Sequence, residues 1–211
     1  MSWLTAPASD TQVTHGARLW LYAIAALVLA FLVVPTLIVI PMSFSASQYL
    51  EFPPRHWSLR WYESYFASTA WMQATATSFK AATLTALLAT PLGTLAALGL
   101  DGARRGVART AGAFLVMPMI VPLILVGIGV FYAYVRLKLV NTLTGVVLAH
   151  TMLAIPLVFI VVASALKQHD ASQVMAAKSL GASPVRAFFA VTLPQIRFGF
   201  VTGLLLSFLT S

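Results

Sequence analysis

The chain has 211 residues, 60% of them hydrophobic and only 9% charged, with a formal net charge of +8 and no cysteine. A soluble domain carries about 25% charged residues, so this balance excludes an ordinary soluble fold and points to an all-α integral membrane protein. Without cysteine there is neither a disulfide framework nor a thiolate metal site, and a positive excess spread between apolar runs reads as membrane orientation, with no nucleic-acid partner.

In chain order, residues 1–18 form a polar tail and 19–211 a transmembrane domain. The first apolar run, Leu19–Met42, is uncharged and long enough for a hydrocarbon core of about 30 Å. It exceeds a signal-peptide h-region, so no cleavable signal is expected despite the small residues Ser45–Ser47. The segment that follows, "SFSASQYLEFPPRHWSLRWYESYFAS", mixes Tyr49, Trp57, Trp61, Tyr62 and Tyr65 with charges. It suits either a membrane interface or a docking surface for an external partner. Further runs cover Trp71–Leu100, Thr110–Val135, Thr142–Leu166 and Phe198–Ser211, giving about five spanning helices. The last has about 14 residues, or about 21 Å of helix, which is too short to cross. It is expected to be a truncated span in a fragment.

With the N-terminus cytoplasmic, Arg18, Arg104, Arg105, Arg109, Lys167, Lys178, Arg186 and Arg197 lie inside. Arg55, Arg60, Arg136 and Lys138 lie outside, and this bias favours that orientation. Lys80, within the second run, is expected to snorkel outward. Pro35, Pro41, Pro91, Pro118, Pro122 and Pro156 loosen their helices, either as ordinary kinks or as hinges along a gated path. Gly199 and Gly203 form a GxxxG contact pattern. His150, at the edge of the fourth run, reads as a hydrogen-bonded structural residue. There is no phosphate-binding loop, no HExxH and no GxSxG, so neither nucleotide-loop nor metalloprotease nor serine-hydrolase chemistry is expected.

One semi-polar stretch remains, "VMAAKSLGASPVRAFFAVTLP", Val174 to Pro194. Asp170 is placed to cap a helix starting near Ala171. Gly181 is placed as its positive-φ stop. Ser183 and Pro184 restart the chain as N-cap and first helical residue, and Pro194 is expected to interrupt the second helix before the last span. The product is a helix–turn–helix elbow over residues 167–197. Ala176 and Ala177 would offer a low-relief face to another protein, or the elbow would lie on lipid as a connector.

The stretch resembles the cytoplasmic "EAA" loop of bacterial ABC importer permeases, EAA-x3-G-x9-I-x-L-P. Ala176, Ala177, Gly181, Leu193 and Pro194 fall at its positions. Val191 stands for isoleucine, and Met175 replaces the glutamate, removing a carboxylate. The aromatic segment after the first span, "PLGTLAALGL" and "HTMLAIPLVF" resemble permeases of the spermidine/putrescine type. The resemblance implies a type I importer permease in the bacterial inner membrane, multi-pass, with its N-terminus cytoplasmic. Besides membrane lipid, it implies a second permease subunit, cytoplasmic ATP-binding subunits that dock on the loop residues Met175, Ala176, Ala177, Gly181, Ser183, Val191, Leu193 and Pro194, and an extracytoplasmic solute-binding protein. ATP hydrolysis would belong to the separate ATPase, so this chain would be no enzyme and would need no cofactor. The implied cargo is a polyamine or related small cation, with iron, thiamine or phosphonate as alternatives. A secondary transporter would carry ionisable residues at mid-membrane, which are nearly absent here. A non-transporting scaffold or inert fragment is the remaining rival.

Overall fold

A computed structural model describes Leu4 and residues 14–211. Most of the expected tail at 1–18 lies outside the described residues. The chain divides into two compact units, Met1–Met72 and Gln73–Ser211.

In the first unit, a 3-10 turn at Gly16–Arg18 leads into α1 (Leu19–Met42), which is apolar all round and buries no residue, as suits a helix solvated by lipid. Its end is held by Ser43, whose hydroxyl lies 2.7 Å from both the Ile40 carbonyl and the Tyr62 hydroxyl. The following loop is pinned by an antiparallel bridge between Ser45 and Trp57. Ala46 N–H donates to the His56 carbonyl at 2.9 Å, and Ser58 N–H to the Phe44 carbonyl at 2.7 Å. The short helix α2 (Arg60–Ala67) closes the unit. Tyr49, Trp61, Tyr62, Tyr65 and Phe66 line an open cleft of about 650 Å³ between these elements.

The second unit is built around α3 (Thr69–Asp101, most of which belongs here), α6 (Leu143–Leu166) and α9 (Leu193–Leu209). The buried face of α3 is Ala81, Ala82, Thr85, Ala86, Ala89, Thr90, Gly93, Thr94 and Ala97. These are two adjacent rows of small residues at four-residue spacing, which let helix backbones approach closely. Val158 of α6, fully buried, fills the notch they leave. A Cβ on Gly93 would sit 2.7 Å from Val158 Cβ, and one on Gly203 would sit 3.1 Å from Val158 Cγ1. Gly199 packs likewise on Ala165, so the GxxxG pattern makes the contact expected of it. Polar side chains cross the bundle in pairs. Thr90 and Ser207 hydroxyls are 3.3 Å apart, Ser211 donates to Thr85 at 3.1 Å, and His150 Nδ1 lies 2.9 Å from Ser211 Oγ. His150 is thus a hydrogen-bonded structural residue. Lys80 is exposed on α3.

These contacts fix directions. Thr85 and His150 meet at Ser211, and Gly93 meets Val158 one step further along both helices, so α3 and α6 run parallel. The chain between them must therefore return across the bundle. It does so through α4 (Arg105–Ile120) and α5 (Leu123–Leu137), a pair bent by 98°. This corrects the expectation of one continuous third span over Thr110–Val135. Pro122 drives the preceding Val121 into extended backbone (ψ 132), because the proline ring clashes with a helical residue before it. The fifth run is also longer than its apolar stretch. A continuous helical path runs from Pro184 to Leu209, 26 residues, or about 39 Å. Pro194 does not interrupt it: the π-helical turn Phe188–Thr192 precedes the proline, and Leu193 N–H donates to Phe188 O, five residues back. The widened turn accommodates a residue that lacks an N–H and would crowd an ordinary α-turn.

Candidate functional site

Between α6 and α9 the chain leaves the bundle and forms the elbow. Its first helix, α7 (Ala171–Ser179), is capped by Asp170, whose Oδ1 accepts from Ser172 N–H at 2.9 Å and Ser172 Oγ at 2.6 Å. Gln173 donates to Oδ2 at 3.2 Å. The Ser172 hydroxyl, then its amide, then Gln173 hold the Asp170 carboxyl below its ordinary range, since each bond favours the charged form.

The stop is a Schellman turn. Gly181 N–H donates to Lys178 O at 2.9 Å, and Ala182 N–H to Ala177 O at 3.0 Å. Gly181 takes φ +89, and nothing lies within 4 Å of a Cβ added there, so its constraint is backbone conformation alone. Ser183 then caps α8 (Pro184–Ala187) by accepting from Arg186 N–H at 3.3 Å, with Pro184 in the first turn. All three cap assignments made from the residues have the geometry anticipated.

The structure spreads the expected loop residues along a path. Met175, Ala176, Gly181 and Ser183 are exposed, and Ala177 is half-buried at the Schellman turn. Val191 lies half-buried inside the π turn, Leu193 packs on the bundle core, and Pro194 sits exposed in the first turn of α9. The set thus runs from a free surface to the root of a span. Two exposed apolar side chains were missed from the residues alone. Leu180 is 90% exposed at the helix end and Val185 is 66% exposed on α8, comparable to Met175 at 63%. The available signal was a leucine directly before a glycine stop in a polar loop. Gln173 and Gln195 were also missed. Gln195 Oε1 accepts from Asp170 N–H at 2.9 Å, and its Nε2 donates to Gln173 Oε1 at 3.0 Å.

The sequence pattern of the binding-protein-dependent transport system inner membrane component matches residues 89–211, which include the whole elbow. The putrescine transport system permease protein PotI of Escherichia coli (strain K12) is 32% identical over 199 residues, covering 91% of this chain and 70% of that protein. The spermidine/putrescine transport system permease protein PotC of Haemophilus influenzae is 30% identical over 185 residues, 87% of this chain and 71% of that protein. The molybdenum transport system permease protein ModB of Mycobacterium tuberculosis is 29% identical over 170 residues, 75% and 62%. A bundle of membrane-length helices with a doubly capped elbow on one end, matched in this way over most of its length, is a membrane permease, and the chain belongs to the binding-protein-dependent transport system inner membrane component family.

Proposed function

We propose that this permease is the membrane subunit of an ATP-driven importer for polyamines or a related small cationic solute. The observation that carries the cargo is the similarity to PotI and PotC over about nine-tenths of the chain. The N-terminal tail at 1–18 and the elbow at 167–197 are cytoplasmic, as the distribution of arginine and lysine favours. The parallel course of α3 and α6 supports the same parity, since the elbow then lies on the side of the arginine-bearing Gly102–Arg104 turn. The elbow docks a separate ATP-hydrolysing subunit. Met175, Leu180 and Val185 are large apolar side chains left exposed on a small polar loop, and such side chains suit the apolar centre of a protein interface. Methionine in place of the usual glutamate makes this contact apolar where relatives of the pattern carry a charge. A second permease subunit and an extracytoplasmic solute-binding protein complete the assembly.

The similarity to ModB favours a second reading, a molybdenum importer. No acidic residue lies within the spans of the bundle except Asp101, at the end of α3, so a cation's path there relies on aromatic and hydroxyl groups. Uptake assays with the assembled transporter in vesicles separate the readings. ATP-dependent accumulation of labelled putrescine or spermidine is expected. Accumulation of molybdenum without either polyamine would replace the proposed cargo, and no ATP-dependent uptake of any solute would overturn the importer assignment.

A further inference from the structure

We infer that Gln195 and Gln173 form the joint through which movement of α7 reaches the last span; the inference rests on the reading that α7 is the docking helix. The helix α7 has no fully buried residue, with only Val174 and Ala177 half-buried, so side-chain packing holds it weakly. Its backbone route to α9 passes through two compliant points, the positive-φ turn at Gly181 and the π turn at Phe188–Thr192. π turns mark places where a helix departs from its regular ladder. A displacement of α7 carried along that route would be partly absorbed before it reached Leu193.

The side-chain route is shorter. Gln195 accepts from the Asp170 backbone N–H at 2.9 Å and donates to Gln173 at 3.0 Å, and Gln173 donates to the Asp170 carboxylate at 3.2 Å. Three residues close a ring that ties the first turn of α7 to the first turn of α9. Both ends are fixed. Asp170 is locked as the N-cap, and Ile196, next to Gln195, is 1% exposed within the core cluster that includes Val162 and Leu166. A pull on α7 therefore bears on α9 at a residue beside its best-anchored point. The joint itself, with Ser164, Gln168, Phe198 and Thr202, lines an open cleft of about 790 Å³ beside α6 and α9. Gln195 and Gln173 are positioning residues; neither has to touch the solute or the nucleotide.

The test uses the complete transporter, with permease pair, ATPase subunits and solute-binding protein in vesicles at matched membrane levels. Two quantities are read: ATPase association, and solute taken up per ATP hydrolysed. Gln195→Leu is expected to keep association near wild type and lower uptake per ATP by roughly five- to tenfold, the scale of losing one to two modest hydrogen bonds. Gln173→Leu, which removes the other amide of the ring, is expected to give a similar loss, and the Gln195→Leu, Gln173→Leu pair no more than either single, a non-additivity that two independent packing defects would not give. Unchanged uptake per ATP in Gln195→Leu overturns the joint, and so do losses that simply add in the paired variant. Loss of association in Gln195→Leu also overturns it, because the residue would then belong to the docking surface. The docking reading itself is judged separately by Gly181→Val. If that variant keeps full association, α7 is not the docking helix, whatever Gln195 does.

Discussion

The bundle of α3, α6 and α9 and the elbow between α6 and α9 are specified by opposite means. The bundle is shaped by atoms that are missing: rows of alanine, threonine and glycine on α3, with Gly199 and Gly203 on α9, let Val158 and Ala165 sit against bare backbone. The elbow is shaped by hydrogen bonds that are added: two side-chain caps, a Schellman turn and an amide ring, with no buried residue in α7. In lipid the apolar surface gains little by helix association, so close packing must supply the cohesion. At an aqueous end the backbone groups of short helices need local partners, and caps supply them. Added volume should therefore break the bundle, and removed hydrogen bonds or a backbone clash should break the elbow.

The largest effect is expected from Gly93→Val. Its Cβ would meet Val158 Cβ at 2.7 Å and the Ile155 carbonyl at 3.1 Å, and backbone has no rotamer by which to retreat. Overpacking of this kind costs about 1–3 kcal/mol, and the bulkier valine lies at the upper end. The melting temperature in detergent and the amount in membranes should both fall sharply. Gly203→Ala is milder and repairable. Its closest contact is Val158 Cγ1 at 3.1 Å, the next 3.5 Å, so Val158→Ala removes the clash and the double variant should lose less than the sum of the singles. In Gly93→Ala the added Cβ meets Val158 Cβ at 2.7 Å and the Ile155 carbonyl at 3.1 Å as well as Val158 Cγ1 at 2.8 Å, so the same partner change removes only one of the three contacts and should give less relief.

The elbow variants are expected to leave bundle melting unchanged. Gly181→Val forces a β-branched residue to φ +89, at a cost of about 1 kcal/mol or more, and should weaken ATPase association at matched membrane levels. The smallest effect is one of pH. The Asp170 carboxyl is held below its ordinary range by Ser172 and Gln173, so its folded pKa lies under its unfolded one. Its contribution to elbow order is fully present above the ordinary carboxylate range and is lost as pH falls through the depressed value. Hydrogen exchange at the Ser172 and Gln173 amides should quicken over that acidic window, and Asp170→Asn should flatten the dependence.

Much of this contrast is written locally in the chain. Asp170, Gly181 and Ser183–Pro184 act within three to five residues of themselves, so their roles follow from residue type and spacing. The Gly199–Gly203 contact is legible in the same way. The four-residue repeat of small residues at 81, 85, 89, 93 and 97 was equally present, but an apolar window averages it away. Other features depend on partners far along the chain. The 98° bend between α4 and α5 follows from Pro122, yet a proline in a span is as compatible with a mild kink. The π turn ahead of Pro194 lets the helix continue, yet a proline at that point reads equally well as a stop. The Gln173–Gln195 pair joins residues 22 positions apart, which no local rule reports.

The docking of the elbow is tested most directly by crosslinking, since the chain has no cysteine of its own. Met175→Cys places a thiol on the exposed face of α7, and Ser58→Cys places one on the aromatic segment. In membranes containing the whole transporter, Met175→Cys is expected to crosslink to the ATPase subunit and to resist an impermeant thiol reagent applied to intact cells, while Ser58→Cys shows the reverse. Labelling of Met175→Cys from outside, or its failure to crosslink while the transporter is intact and active, would contradict a cytoplasmic coupling elbow.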